Sequence, residues 1–346
     1  MQMRRTRVRV VAATAILALV AGGAAYAGTA LQSGKVKVIA IATPAQTNDY
    51  GWNQQGVNSA KAAGAAFGAK VNAVTNIGYD KTDVVLGQLA KSGANFIIAH
   101  ASGYDTVASR IAQRYKVPII TYDIPTELVK NYVSNITTES QQGSYLAGIL
   151  AARMTKTHKL GIVISASDPN WYKMSGGFAA GVRSVDKKSK IVFATIGPAS
   201  YDDAAGGKRA VNSVIAQGAD VILTMGDGAT FGYLQGIETA NVGHKVWMIG
   251  DIGDLTPIDK KHVFLSSVLW TFTNAFKSAI SDINKGTYGT HGYSLTLKNG
   301  GVSLLRTKYI STAVWKEIGK AKAAIVSGKL KVPNVTTKNA VLKLIK

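Results

Sequence analysis

Two lobes, each a doubly wound parallel α/β sheet, are predicted by three features of this sequence. Apolar runs alternate with helix-patterned stretches along nearly all of its 346 residues. The runs are apolar on both faces, as strands covered by helices above and below must be. A faint internal repeat also links the halves. Gly93-Ala94-Asn95-Phe96-Ile97-Ile98 and Gly218-Ala219-Asp220-Val221-Ile222-Leu223 lie 125 positions apart, each following a helix, entering a buried strand and ending in a Gly-bearing loop. About 319 residues remain after the first 27, more than one hydrophobic core usually supports. No Pro/Ser-rich linker interrupts the chain, so short crossovers must join the lobes. Such lobes face each other across a cleft lined by strand-end loops, the geometry of a hinge-closing receptor.

Residues 1–27 have the pattern of an export signal: Arg4, Arg5, Arg7 and Arg9, an apolar run over 10–20, and the small-x-small site Ala25-Tyr26-Ala27. The protein is therefore expected outside the cytoplasm, periplasmic or at the cell surface, and the shortness of the apolar run favours cleavage over retention as an anchor. Strands are expected at 36–43, 70–74, 96–100, 119–122, 160–165, 191–196, 221–225, 246–250 and 263–268. Helical patterns fill the intervals at 56–67, 81–92, 106–114, 140–154, 175–185 and 204–217. Strands of four to eight apolar residues separated by helices of this length read as parallel-sheet units.

The formal charge is +21; the four leader arginines account for part of it, leaving +17. What remains is mostly lysine, spread along the chain and denser after Trp315. Nucleic-acid readers favour Arg for bidentate base contacts, so the excess reads as solubility and attraction to an anionic envelope rather than nucleic-acid binding. The absence of cysteine excludes disulfides, thiolate metal sites, a cysteine nucleophile and a lipid anchor on an N-terminal cysteine. No phosphate loop with Lys-Ser/Thr, no His-Glu-x-x-His and no Gly-x-Ser-x-Gly is present. Five histidines are scattered, and only His100 falls at an expected strand end, where it reads as a polar rim residue. Nothing calls for an enzyme, a cofactor or a metal.

The stretch 47–54, Thr-Asn-Asp-Tyr-Gly-Trp-Asn-Gln, follows the first strand and precedes a small-residue helix. Ligands of open α/β sheets sit at that carboxyl edge. Trp52 held there is either a stacking plate for a flat ligand or a plug between loop and helix. Tyr104, Trp171, Tyr201, Phe231 and Trp270 likewise fall just past an expected strand or beside a Gly turn, whereas Trp247 lies within a strand. Asp49, Asp123, Asp227, Asp251 and Asp254 are the carboxylates at strand ends. Paired acids suit glycosidic acid–base chemistry, but acids at a cleft rim equally accept hydrogen bonds from ligand hydroxyls and ring N–H groups. A planar heterocycle or a sugar ring suits such a cleft.

Asn48-Asp49-Tyr50-Gly51-Trp52-Asn53-Gln54 resembles the Asn-Asp-x-Ser/Gly-Phe/Trp-Asn-Gln signature of the basic membrane protein family of ABC-transporter substrate-binding proteins. Gly143-Ser144-Tyr145-Leu146-Ala147-Gly148, the segment Met154-Thr155-Lys156-Thr157, Gly218-Ala219-Asp220-Val221-Ile222, Ile249-Gly250 with Asp254, and Gly328-Lys329-Leu330-Lys331-Val332-Pro333 extend the resemblance from about Lys35 to Pro333. It implies a type I periplasmic-binding-protein fold holding a purine nucleoside or nucleobase between the lobes, and an ABC permease as partner. It also implies that Trp52 stacks on the base, with Asn53 and Asp49 as polar contacts or turn formers, Asp254 as a site acid and Asp251 as its neighbour. Family members that bind nucleosides often carry an Asp where this chain has Thr43-Pro44, and a Lys where it reads Ser266-Ser267-Val268-Leu269-Trp270. With Tyr201-Asp202, these departures resemble the branch associated with free bases such as adenine. The expected division is 35–138 plus about 255–290 for one lobe, 139–254 plus about 291–333 for the other, and a basic tail at 334–346. A monomer is expected. Receptors for a sugar or a flavin, and an envelope nucleoside or glycoside hydrolase, are the alternatives.

Overall fold

A computed structural model describes residues 35–346; the expected export segment at 1–27 lies outside them. In chain order the first lobe supplies β1 (Val38–Ala42), α1 (Trp52–Phe67), β2 (Lys70–Val74), α2 (Thr82–Lys91), β3 (Phe96–Ala99), α3 (Asp105–Tyr115), β4 (Ile119–Tyr122) and β5 (Val133–Thr138). The chain crosses into the second lobe for α4 (Ser140–Met154), β6 (Lys159–Ile164), α5 (Pro169–Val185), β7 (Lys190–Thr195), α6 (Ala204–Ala216), β8 (Val221–Met225), α7 (Ala229–Glu238), β9 (Trp247–Ile252) and β10 (Phe264–Trp270). It returns for α8 (Thr273–Lys285) and β11 (Tyr293–Leu295), then crosses once more into β12 (Val302–Leu304), α9 (Thr312–Val326) and α10 (Lys338–Ile345).

The two sheets have the same winding. The first runs β11-β5-β4-β3-β1-β2 and the second β12-β10-β9-β8-β6-β7. Every pairing is parallel except that of β12 with β10. The repeated sequence falls on β3 and β8, which occupy the same place in their sheets, beside the first strand of each lobe. Strands β1, β3, β4 and β8 are almost wholly buried because helices cover both faces, which is why they read as continuous apolar runs.

Sheet membership moves the expected lobe boundaries. Strand β10 pairs in parallel with β9, so the second lobe extends to Trp270 rather than ending near 254. Strand β11 pairs with β5, and α8 packs on α1, so the first lobe reclaims the chain only from about 273 to 295. Residues 338–345, expected in a basic tail, form α10, which docks on α5 and β7 through the fully buried Val341.

The helix entering the second lobe packs backbone against backbone. A Cβ at Gly148 would lie 2.2 Å from the Phe178 carbonyl oxygen, and one at Gly181 would lie 2.1 Å from that of Tyr145. Only glycine lets α4 and α5 approach this closely, which accounts for the small-residue run in 143–148. At the end of α4 the buried Asp220 carboxylate accepts from Thr155 Oγ1 and from the N–H groups of Lys156 and Thr157, tying the helix to the start of β8.

Candidate functional site

A cavity lies between the lobes at the carboxyl ends of both sheets, and about 560 Å³ of space, part of it open to solvent, is bounded by loops from nine strands. Pro44 and Trp52 follow β1, Tyr79 follows β2, Ala101 and Ser102 follow β3, and Asp123 follows β4. Opposite them, Asp168, Asn170 and Trp171 follow β6, Tyr201 follows β7, and Asp227 follows β8, while Ile252 and Trp270 close β9 and β10. In each sheet the order reverses between the first and third strands, and that switch point is where a doubly wound sheet opens a crevice.

Trp52 is held as a plate by His100. The two rings stack with centroids 4.4 Å apart and planes 16° from parallel. The indole Nε1–H donates to the His100 carbonyl at 3.0 Å, and His100 Nε2 donates to the Trp52 carbonyl at 2.9 Å. With the proton on Nε2, His100 Nδ1 accepts from the Tyr122 hydroxyl at 2.6 Å. Phe272 lies 5.2 Å from Trp52 and 5.0 Å from His100, and Tyr122 lies 5.0 and 5.1 Å from the same pair. A ring equidistant from both members of a stack must sit beside it, so these two frame the rim. The indole face opposite His100 is left for the cleft, where Trp270 stands edge-on 6.3 Å away. His100 is fully buried, not at the rim as the sequence suggested, and burial lowers its pKa to about 3, so the imidazole is neutral. Gly56 makes room for it: a Cβ there would lie 2.1 Å from Nε2.

The second lobe answers with Trp171, whose ring lies 5.3 Å from that of Tyr201. Trp171 Nε1 donates to Asp251 Oδ2 at 3.0 Å, so Asp251 stands behind the indole and fixes its plane. Asp168 caps α5 by accepting from the N–H groups of Asn170 and Trp171, the role a helix N-terminus before Pro169 demands. Asn170 Nδ2 reaches across to Asp123 Oδ1 at 3.2 Å, one of the contacts between lobes. On another side, Tyr50 lies edge-on to Phe231 at 6.4 Å, and Gly253 presses against the Tyr50 carbonyl.

The cleft is an acid pole on a basic protein. Asp123, Asp168 and Asp227 line it and no Lys or Arg does. Burial lifts Asp251 to about 8, and burial together with Asp123 lifts Asp168 to about 6 despite its cap bonds. Burial first, then Asp49, Asp251, Asp202 and Asp168, push Asp227 well above the ordinary carboxylate range. Three non-glycine residues at the cleft have left-handed backbones, Tyr50 (φ 54°), Asp123 (φ 65°) and the β-branched Ile252 (φ 62°), a conformation costing of order 1–3 kcal/mol and found where function holds it in place. Among the described residues no group of three or more His, Asp and Glu side chains is arranged to hold a metal ion.

The expected site residues thus separate. Trp52, Trp171, Tyr201, Asp227 and Trp270 meet at the cavity. Asp49 and Asn53 are knitted into the turn. The Asp49 carboxylate accepts from the N–H groups of Gly51, Asn53 and Gln54 and from Asn53 Nδ2, supplying the first turn of α1 with acceptors that Gly51 has no side chain to provide. Asn53 Oδ1 accepts from Ala45 N–H. Tyr104 is fully buried behind Tyr79, its hydroxyl donating to the Gly78 carbonyl. Asp254 caps Thr256 beside a separate surface groove. Tyr79, next to Gly78 and past β2, satisfied the criterion applied to the other aromatics and was missed, as was Asp168, signalled by Asp-Pro-Asn at a helix start.

The segment 36–336 matches the family model described as ABC transporter substrate-binding protein, PnrA-like. The chain is 27% identical to the ABC transporter nucleoside-binding protein BmpA of Lactococcus lactis, over 94% of this chain and 99% of that one. It is also 27% identical to a purine-binding protein of Brucella abortus, over 58% of this chain and 56% of that one. The fold is shared with an ABC transporter solute-binding protein of Aeropyrum pernix at a TM-score of 0.75 and 20% identity, covering 89% of this chain and 96% of that one. The chain belongs to the PnrA-like Bmp family of ABC transporter substrate-binding proteins, extracytoplasmic components that bind small-molecule solutes and serve a membrane permease.

Proposed function

We propose that this receptor delivers a purine nucleobase or nucleoside, adenine-like in preference, to its ABC permease. The observation that carries the reading is the Trp52 plate: one face on His100, two aromatic rims, and the other face turned to the cleft. A planar heterocycle on that face would be covered from the second lobe by Trp171, Tyr201 and Trp270, with Asp227, Asp168 and Asp123 accepting from its N–H or hydroxyl groups. The nucleoside- and purine-binding relatives support the same guest. No bond in the guest need be broken, since closure of the lobes is the whole of the event.

Tryptophan emission titrated with adenine, adenosine, guanosine, xylose and riboflavin tests the reading. Saturable quenching by a purine is expected. In Trp52→Ala the affinity should fall roughly fivefold to a hundredfold, the worth of one base–aromatic stack. Saturable sugar binding without a response to purines would overturn the assignment, and so would turnover of a nucleoside to base and ribose.

A further inference from the structure

The walls of the cleft are unequal in what they offer a guest. Their donors are already engaged by the protein: Trp52 Nε1 by the His100 carbonyl, Trp171 Nε1 by Asp251, Ser102 Oγ by Asp123. Asn170 gives one amide hydrogen to Asp123, and its oxygen accepts from Lys173. The indole N–H of Trp270 has no partner but is buried beneath the cavity surface. Asp227 is the opposite case. It lines the cavity on the turn Gly226-Asp227-Gly228, its Oδ1 stands across from Gly51 of the other lobe, and its carboxylate has no hydrogen-bond partner among the described residues. An ionised carboxylate accepts and never donates.

We propose that Asp227 is the specificity-determining residue of this cleft, an acceptor that selects its guest by the N–H donors on the edge facing the second lobe. The inference rests on the purine reading and narrows it to bases bearing an exocyclic amino group. A guest offering a carbonyl or a methyl group there leaves a closed-in carboxylate unpaired, which is heavily penalised, whereas an amino group pairs with it by a charge-assisted bond. Selection of this kind is sharper than any apolar pocket achieves against an analogue of the same size.

Calorimetric titration of the intact protein with adenine, 6-methylpurine and hypoxanthine tests it. 6-Methylpurine matches adenine in shape and lacks the amino hydrogens. The wild type should bind adenine roughly tenfold to a hundredfold more tightly than either analogue. Asp227→Asn, which keeps the shape and adds a donor, should erase most of that gap and improve hypoxanthine relative to adenine. Equal affinity of the wild type for adenine and 6-methylpurine would overturn the proposal without any variant. An unchanged ranking in Asp227→Asn would overturn it too, and either result leaves the purine reading standing. Failure of every purine to bind would sink both.

Discussion

A methyl group added at Gly253 should hold this receptor open. Gly253 follows β9 in the second lobe and meets the Tyr50 carbonyl of the first. A Cβ built there lies 1.5 Å from that oxygen and 2.7 Å from its carbon. Ordinary contact needs about 3.4 Å, so the loops must part by roughly 2 Å. Gly253 has no left-handed φ, so Gly253→Ala introduces a clash without a backbone penalty. Overpacking of this kind costs about 1–3 kcal/mol. The clashing groups belong to different lobes joined by short crossovers, so separation of the lobes relieves the strain more readily than distortion of either core. The penalty therefore falls on closure, and ligand affinity should drop roughly fivefold to a hundredfold. The melting temperature of the unliganded protein should stay within about 2 °C of wild type, since each kcal/mol of fold stability is worth a few degrees at this size. Titration and melting of the same sample give both numbers. Wild-type affinity in Gly253→Ala would refute the reasoning, as would a fall of several degrees without ligand, which would place the strain inside a lobe.

His100→Ala removes the ring beneath Trp52, leaves the Tyr122 hydroxyl and the Trp52 carbonyl without partners, and opens a hole against Gly56. Stability should fall by about 3 kcal/mol in denaturant unfolding, with ligand-induced quenching of Trp52 weakened in parallel. Acid carboxylates of the cleft predict an unusual pH profile. The native pKa values of Asp251 and Asp168, about 8 and 6, exceed those of the unfolded chain, so the folded state holds extra protons between about pH 4 and 8. Their contribution to stability is full below the unfolded value and is lost as pH rises through the folded ones. Melting temperature should therefore climb as pH is lowered from 8 to 5, and Asp251→Asn should flatten the upper part of the slope. A melting temperature that falls over that interval would contradict the placement of these acids.

The winding of both sheets was legible because its signals are local. A run such as 96–99 or 221–225 declares itself by being apolar on both faces, and the helices by what separates the runs. The half-polar β5, Val-Ser-Asn-Ile-Thr-Thr, escaped notice although nearly all of it is buried, because its polar groups are satisfied by partners such as Thr121 and the His291 carbonyl. Strands β11 and β12 are three residues each and carry too little pattern to see. Which sheet β10 joins is likewise absent from its own residues, since it depends on β9 as a neighbour.

At the site, the sequence alone determined that aromatics and aspartates crowd the strand ends, and that Trp52 sits on a Gly-bearing turn before a helix. Tertiary structure decided which of them face the gap. Asp49 and Asn53 turn inward because four N–H groups near the start of α1 need acceptors. Tyr104 turns inward because its hydroxyl finds the Gly78 carbonyl 26 residues away. Trp52 becomes a plate through a histidine 48 positions on, and Trp171 through an aspartate 80 positions on. Chain periodicity follows from sterics between near neighbours, whereas the direction of a strand-end side chain is set by partners that only the packed lobes bring within reach.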